Sequence, residues 1–122
     1  MRIRITWPNG ALEGELNDRP TARALYEALP VQGPANTWGE EVYFSVAVDA
    51  SLDDDANDVV DPGAICYWVE GSALALPYGP TPASEGDECR LVAPVNTVGK
   101  LLGDPQQLST INPGDTIVVD RA

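Results

Sequence analysis

The chain has 122 residues, about one domain, and 43% of them are hydrophobic, which excludes a disordered chain and allows a core without metal or disulfide support. Its formal net charge is -12, from 19 Asp plus Glu against 7 Lys plus Arg, and it has no His. That balance argues against nucleic acid, whose phosphates need Lys and Arg contacts, and against anionic membrane surfaces.

The 11 Gly and 11 Pro point to frequent turns and many short strands. Arg2 to Trp7 alternates polar and apolar residues, the period of a half-buried strand. Pro8-Asn9-Gly10 follows, and Asn-Gly is a hairpin signal. A two-residue loop at Asn9-Gly10 sets Arg4 opposite Glu15 and Ile5 opposite Gly14, with charges on one face and apolar side chains on the other. Asn17-Asp18 is expected to cap a helix with Pro20 in its first turn. Ala22, Leu25, Ala28 and Leu29 then form one apolar stripe, and Pro30 ends the segment.

After Gly33-Pro34 the chain returns to strands. Asn36 to Glu41 leads into Val42 to Val46, and an acidic loop runs from Asp49 to Asp61. Asp61-Pro62-Gly63 has the composition of a type II turn and opens into the strand Ala64 to Val69. Gly71 breaks that strand and Ala73 to Leu76 resumes it. Tyr78 to Glu88 reads as a loop, and Leu91 to Leu102 as a long strand bent or bulged near Pro94 and Gly99. A short turn of helix is expected at Pro105 to Leu108. A second Pro-Gly turn at Pro113-Gly114 then precedes a closing strand, Thr116 to Val119. About eight short strands suit a closed barrel with one main helix at an end.

No run of 18 apolar residues and no basic-then-apolar leader is present, so the expected compartment is the cytoplasm. Cys66 and Cys89 form no CxxC motif and there is no His, so no zinc site is legible; two reduced core thiols are expected. Asp53, Asp55 and Asn57 have the one-three-five spacing of a calcium loop. Asp58 stands where such a loop needs Gly and Ala64 where it needs Glu, so a solvated acidic loop is the better account. No cofactor motif is present, because no phosphate-cradling Gly-rich loop precedes the helix. A homodimer is compatible with a barrel but nothing in the sequence demands it.

Three segments carry a family resemblance. They are Asn36 to Phe44, Tyr67-Trp68 with Gly71 through Pro82, and Pro94 to Gly99. Together they resemble the small prokaryotic cyclophilin-like proteins, a single-domain family without an assigned activity. The resemblance spans nearly the whole chain and implies an all-β, closed eight-stranded barrel with a helix plugging one end. It does not bring an activity with it. Cyclophilins that isomerise prolyl bonds place an Arg beside a pocket of Phe, Met, Trp and His. Here His is absent, the sole Met is Met1, and Phe44 lies in no matching motif. No catalytic residue transfers, and fold alone does not license function.

Candidate chemistry concentrates in the shared segments. Glu40 and Glu41 are adjacent on a strand and so point to opposite faces, with Glu41, Tyr43 and Ser45 on one side. One of the two acids facing a pocket would be a general base if burial raised its pKa; otherwise it is solvated or bonded to backbone. Trp38, Tyr43, Tyr67, Trp68 and Tyr78 pair apolar bodies with polar tips, which suits a ligand pocket and a packed core alike. Asn96 among apolar neighbours either ties a turn to the sheet or binds ligand. The expected function is a cleft for a small molecule or short peptide, without catalysis. Trp38, Glu41, Tyr43, Tyr67 and Tyr78 would line it, with Asn36 and Asn96 as polar anchors. The alternatives are a prolyl isomerase with a divergent site and an enzyme using one carboxylate of Glu40-Glu41.

An acid-rich chain with one Lys is suggestive of a protein that works in high salt, where surface repulsion is screened. Its melting temperature is expected to rise by about 5 °C between low salt and molar KCl in thermal denaturation. Equal melting temperatures in both would contradict this.

Overall fold

Arg2–Trp7 (β1) and Gly10–Leu16 (β2) pair antiparallel, with Ile3, Ile5, Leu12 and Leu16 turned into the core. The computed structural model describes residues 1–122, and in it Trp7 pairs with Gly10. The turn is therefore Pro8-Asn9, two positions off the expected register, with Arg4 opposite Glu13 and Ile5 opposite Leu12. Proline has no N–H to give a ladder, so Pro8 sits in the turn, not beside Ala11. A shift of two residues leaves every side chain on its expected face, because the strand period is two. Arg2 takes the ion pair with Glu15 at 3.1 Å.

The main helix, Pro20–Ala28 (α1), starts with Pro at its first turn and buries Ala22 and Leu25 in the core. Asn17 does not cap it directly. Its Oδ1 accepts the Arg19 N–H at 3.0 Å, one turn ahead of the helix proper. The remaining strands are Val31–Pro34 (β3), Asn36–Thr37 (β4), Glu41–Ser45 (β5), Asn57–Val60 (β6), Ala64–Trp68 (β7), Ala73–Pro77 (β8), Cys89–Leu101 (β9) and Thr116–Arg121 (β10). A 3-10 helix, Pro105–Thr110, buries Leu108. Both Pro-Gly turns form, with Gly63 and Gly114 each at φ 89°. No helix is long and apolar enough to cross a membrane.

Ten strands form, where about eight were expected. Nine follow the order β3-β10-β1-β2-β9-β7-β8-β5-β4, and β6 joins only β9. The additional ones are short or disguised. β4 is 2 residues long, β3 ends in Pro, and β6 hides at the end of the acidic stretch as Asn57-Asp58-Val59-Val60. The ends of the path nearly meet, since a side chain at Gly33 of β3 would come within 3.3 Å of Phe44 on β5. No ladder joins these two strands, so the barrel is nearly closed, not fully closed.

Strands β5, β8 and β7 carry apolar residues on both faces. Phe44, Leu74 and Tyr67 lie side by side in register and face the main core. Tyr43, Ala75 and Cys66, one residue along, lie in register on the outer face. A second, smaller cluster covers that outer face, built from Ala64, Cys66, Ala75, Leu91 and Val95. Strand β9 makes this possible. Its first half pairs with β6, its second half with β7 and β2, and the ladder slips on each side of the change of partner.

Asn96 stands at that change of partner and is fully buried. Its Oδ1 accepts the Asp53 N–H at 2.8 Å, and its Nδ2 donates to the Ser51 carbonyl at 2.9 Å and the Thr21 hydroxyl at 3.1 Å. One amide thus ties β9 to the helix and to the loop after β5. Asn96→Ala is expected to cost about 3 kcal/mol in urea denaturation, because it leaves buried backbone and hydroxyl groups unpaired. A cost under about 0.5 kcal/mol would show that the network does not brace the fold.

Candidate functional site

The covered outer face is not fully filled. A cavity of roughly 250 Å³ lies between the sheet and the first half of β9. Glu41 and Tyr43 of β5, Ala75 of β8 and Trp68 of β7 line its floor and sides. Leu91, Val92 and Val95 of β9 line the opposite wall, and Trp38 completes the lining. Val92 is 63% exposed at this wall, so the cavity has an open side. Tyr43 and Trp68 meet edge to face, their ring centroids 6.3 Å apart and their planes at 89°. The indole N–H of Trp68 is buried with no acceptor in the chain.

A tight turn and one loop hold the lining in place. The Trp38 N–H donates to the Glu41 carbonyl at 3.0 Å, and Gly39 between them adopts φ 59°. That left-handed backbone favours glycine, and a Cβ there would also strike Thr81 Cα at 2.8 Å. Residues 78–82 clamp the turn. The Glu40 N–H donates to the Pro80 carbonyl at 2.9 Å, and the Tyr78 N–H donates to the Glu40 carbonyl at 2.8 Å. The same loop reaches the far wall, because the Thr81 hydroxyl donates to the Arg90 carbonyl at the start of β9. Ser84 donates to the Glu88 carbonyl at 2.6 Å, and the Glu88 carboxylate is held at about 2 by the Glu85 and Gly86 N–H groups and by Arg90. One loop therefore fixes both sides of the cavity.

Glu41 is the single ionisable acid in this lining, and its residue is 6% exposed. Its carboxyl makes no hydrogen bond or ion pair within the chain, and burial pushes its pKa up to about 7. Two thiols lie near enough to feel its charge. Cys66 and Cys89 are buried and free; burial, with nearby carboxylates, raises both and pushes Cys66 well above the usual thiol range. Neither is a nucleophile in this setting. No three His, Cys, Asp or Glu side chains converge to hold a metal ion. Asp53 and Asp55 instead face Arg19, at 3.6 and 2.8 Å.

The residues singled out by sequence divide between two places. Trp38, Glu41 and Tyr43 meet on the cavity. Asn36 is exposed on β4 and donates to the Tyr43 carbonyl at 3.4 Å, on the backbone side of a cavity residue. Tyr67 does not reach the cavity. It points into the main core and its hydroxyl donates to the Val48 carbonyl. Tyr78 packs against the main core, and Asn96 is consumed by its bracing bonds. Sequence reasoning missed Trp68, Ala75, Leu91, Val92 and Val95 as lining. The signal for Trp68 was present: neighbours on a strand face opposite ways, so only one of Tyr67 and Trp68 is able to share a face with Tyr43.

Comparison with known proteins agrees with this architecture. The cyclophilin-like family profile matches residues 1–120. The solution structure of a hypothetical protein from Archaeoglobus fulgidus superposes with a TM-score of 0.84 at 35% identity, covering 100% of this chain and 95% of that one. McbB, solved in complex with tryptophan, shares the fold at a TM-score of 0.69 and 16% identity; the match covers 98% of this chain but 44% of McbB. No curated protein matches the chain. With a family profile spanning almost every residue and a barrel of the same build, the chain belongs to the cyclophilin-like family.

Proposed function

We propose that this chain is a binding module for a small, flat, mostly apolar molecule, held in the cavity outside the barrel wall. The observation that carries this is the lining itself: seven hydrophobic residues, three of them Trp or Tyr, around one carboxyl. Aromatic walls with a single convergent polar group are the usual make-up of a small-ligand site. The volume, roughly 250 Å³, lies just below the roughly 300–1,000 Å³ of pockets for drug-sized ligands and suits a fused ring with a short side chain. The unpaired Trp68 N–H adds a donor beside the cavity. The fold neighbour McbB was solved with tryptophan bound, which makes indole compounds the natural first probes.

A second reading rests on Glu41. A carboxyl titrating at about 7 inside an apolar cavity is matched to proton transfer at neutral pH. That reading makes the cavity an active site and Glu41 its acid or base.

Titration with indole and with tryptophan, followed by protein NMR, is expected to move the Trp68 indole N–H and the amides of Ala75, Leu91 and Val95. Tyr43→Ala and Trp38→Ala are each expected to weaken the best binder about tenfold or more, in line with the loss of an aromatic contact. If the shifts map to the barrel interior, or if both variants bind as the parent does, the cavity is not the site.

A further inference from the structure

Glu41 poses a problem that the chain does not solve for itself. A buried carboxyl normally acquires a partner in the fold, because an unpaired one is costly to ionise. None of the seven Lys and Arg of this chain pairs with Glu41, and four are engaged elsewhere. Arg2 pairs with Glu15, Arg19 with Asp55, and Arg90 with Glu88, while Arg121 stacks 5.0 Å from the Tyr26 ring centre. The carboxyl instead shares its cavity with the rings of Trp38, Tyr43 and Trp68, and the faces of such rings attract cations.

We infer that the cavity takes a ligand with a protonated amine, seated between the aromatic rings with its ammonium against the Glu41 carboxylate. The inference deepens the small-molecule-binding role above and rests on it. A neutral donor would give Glu41 a hydrogen bond but leave the carboxylate charge uncompensated. An ammonium compensates the charge and gains from the ring faces as well. The strongly acidic surface, at net charge -12, also draws a cation toward the cavity and repels an anion.

The sign of the pH dependence follows. In the free protein Glu41 holds its proton below about 7, and the amine needs the carboxylate, so binding releases a proton in that range. Affinity therefore falls as pH drops below 7 and levels off above it. Three other titratable groups lie near Glu41. They are the Cys66 thiol on β7 and the Cys89 thiol on β9, both raised by burial and so protonated throughout, and the Tyr43 phenol on the same strand. Glu40 turns away toward Gly79, where a Cβ would lie 2.7 Å from its carboxyl carbon.

Calorimetry with three probes of one size tests this: tryptamine, its hydroxyl analogue tryptophol, and indole-3-acetate. Tryptamine is expected to bind at least tenfold tighter than tryptophol at pH 8, and indole-3-acetate more weakly than either. Tryptamine affinity is expected to rise about tenfold or more from pH 5.5 to pH 8, while that of tryptophol changes less than about twofold. Glu41→Gln is expected to erase both the preference and the pH dependence, and its retained binding of tryptophol would show that it is folded. Equal binding of tryptamine and tryptophol at every pH overturns the amine and leaves the ligand-binding role standing. No binding of any of the three overturns both.

Discussion

Everything in this molecule that resembles a site follows from one patch of sheet with two greasy sides. In most barrels the wall has an inner face that is packed and an outer face that is wet. Here β5, β8 and β7 place Phe44, Leu74 and Tyr67 inward and Tyr43, Ala75 and Cys66 outward, all apolar or largely so. Leaving the second set in water would forfeit roughly 25 cal/mol for each Å² of apolar area. The chain answers by lifting the first half of β9 off the wall, pairing it with β6 and laying Leu91 and Val95 over the patch. The cover does not fit flush. The space it leaves is the cavity, and Glu41 and Tyr43 face it because strand period puts them on the same outward side.

This origin explains how the lining is held. The barrel interior is fixed by close packing, but the cavity is bounded by two elements that belong to different ladders. Residues 78–84 bridge them, with one set of backbone bonds to the Trp38–Glu41 turn and another from Thr81 and Ser84 to the start of β9. Asn96 performs the corresponding task at the other end of the lifted segment, where β9 rejoins the wall. The result is a cavity whose width is set by side-chain and backbone hydrogen bonds more than by a packed core.

Much of the fold was legible because alternation and turn chemistry are local. The hairpin, the helix after Pro20, the two Pro-Gly turns and the bend in β9 all follow from residues close together in sequence. The hairpin register differs by two from that of an Asn9-Gly10 turn because Pro8 is unable to enter a ladder and takes the turn itself. Strand β6 is not legible because its flanking acids give a solvated look to Val59 and Val60, the second of which packs against the outer cluster. The site was half legible. Trp38, Glu41 and Tyr43 were found, since the strand period places the last two on one face. The opposite wall was not, because which half of a long strand leaves the barrel depends on contacts from residues 57 to 60, far away along the chain. Tyr67 and Asn96 have the polar chemistry of site residues, yet both spend it inside the fold on distant carbonyl, amide and hydroxyl groups.

The cavity's place on the outside of the wall has an evolutionary consequence. Its far lining, Leu91, Val92 and Val95, belongs to none of the residues that fill the barrel. Substitutions there reshape the cavity without disturbing the close-packed interior, so cavity chemistry and fold stability are free to drift apart. A shared barrel therefore does not entail a shared cavity, and those few exchangeable positions are where two chains of one shape are free to differ.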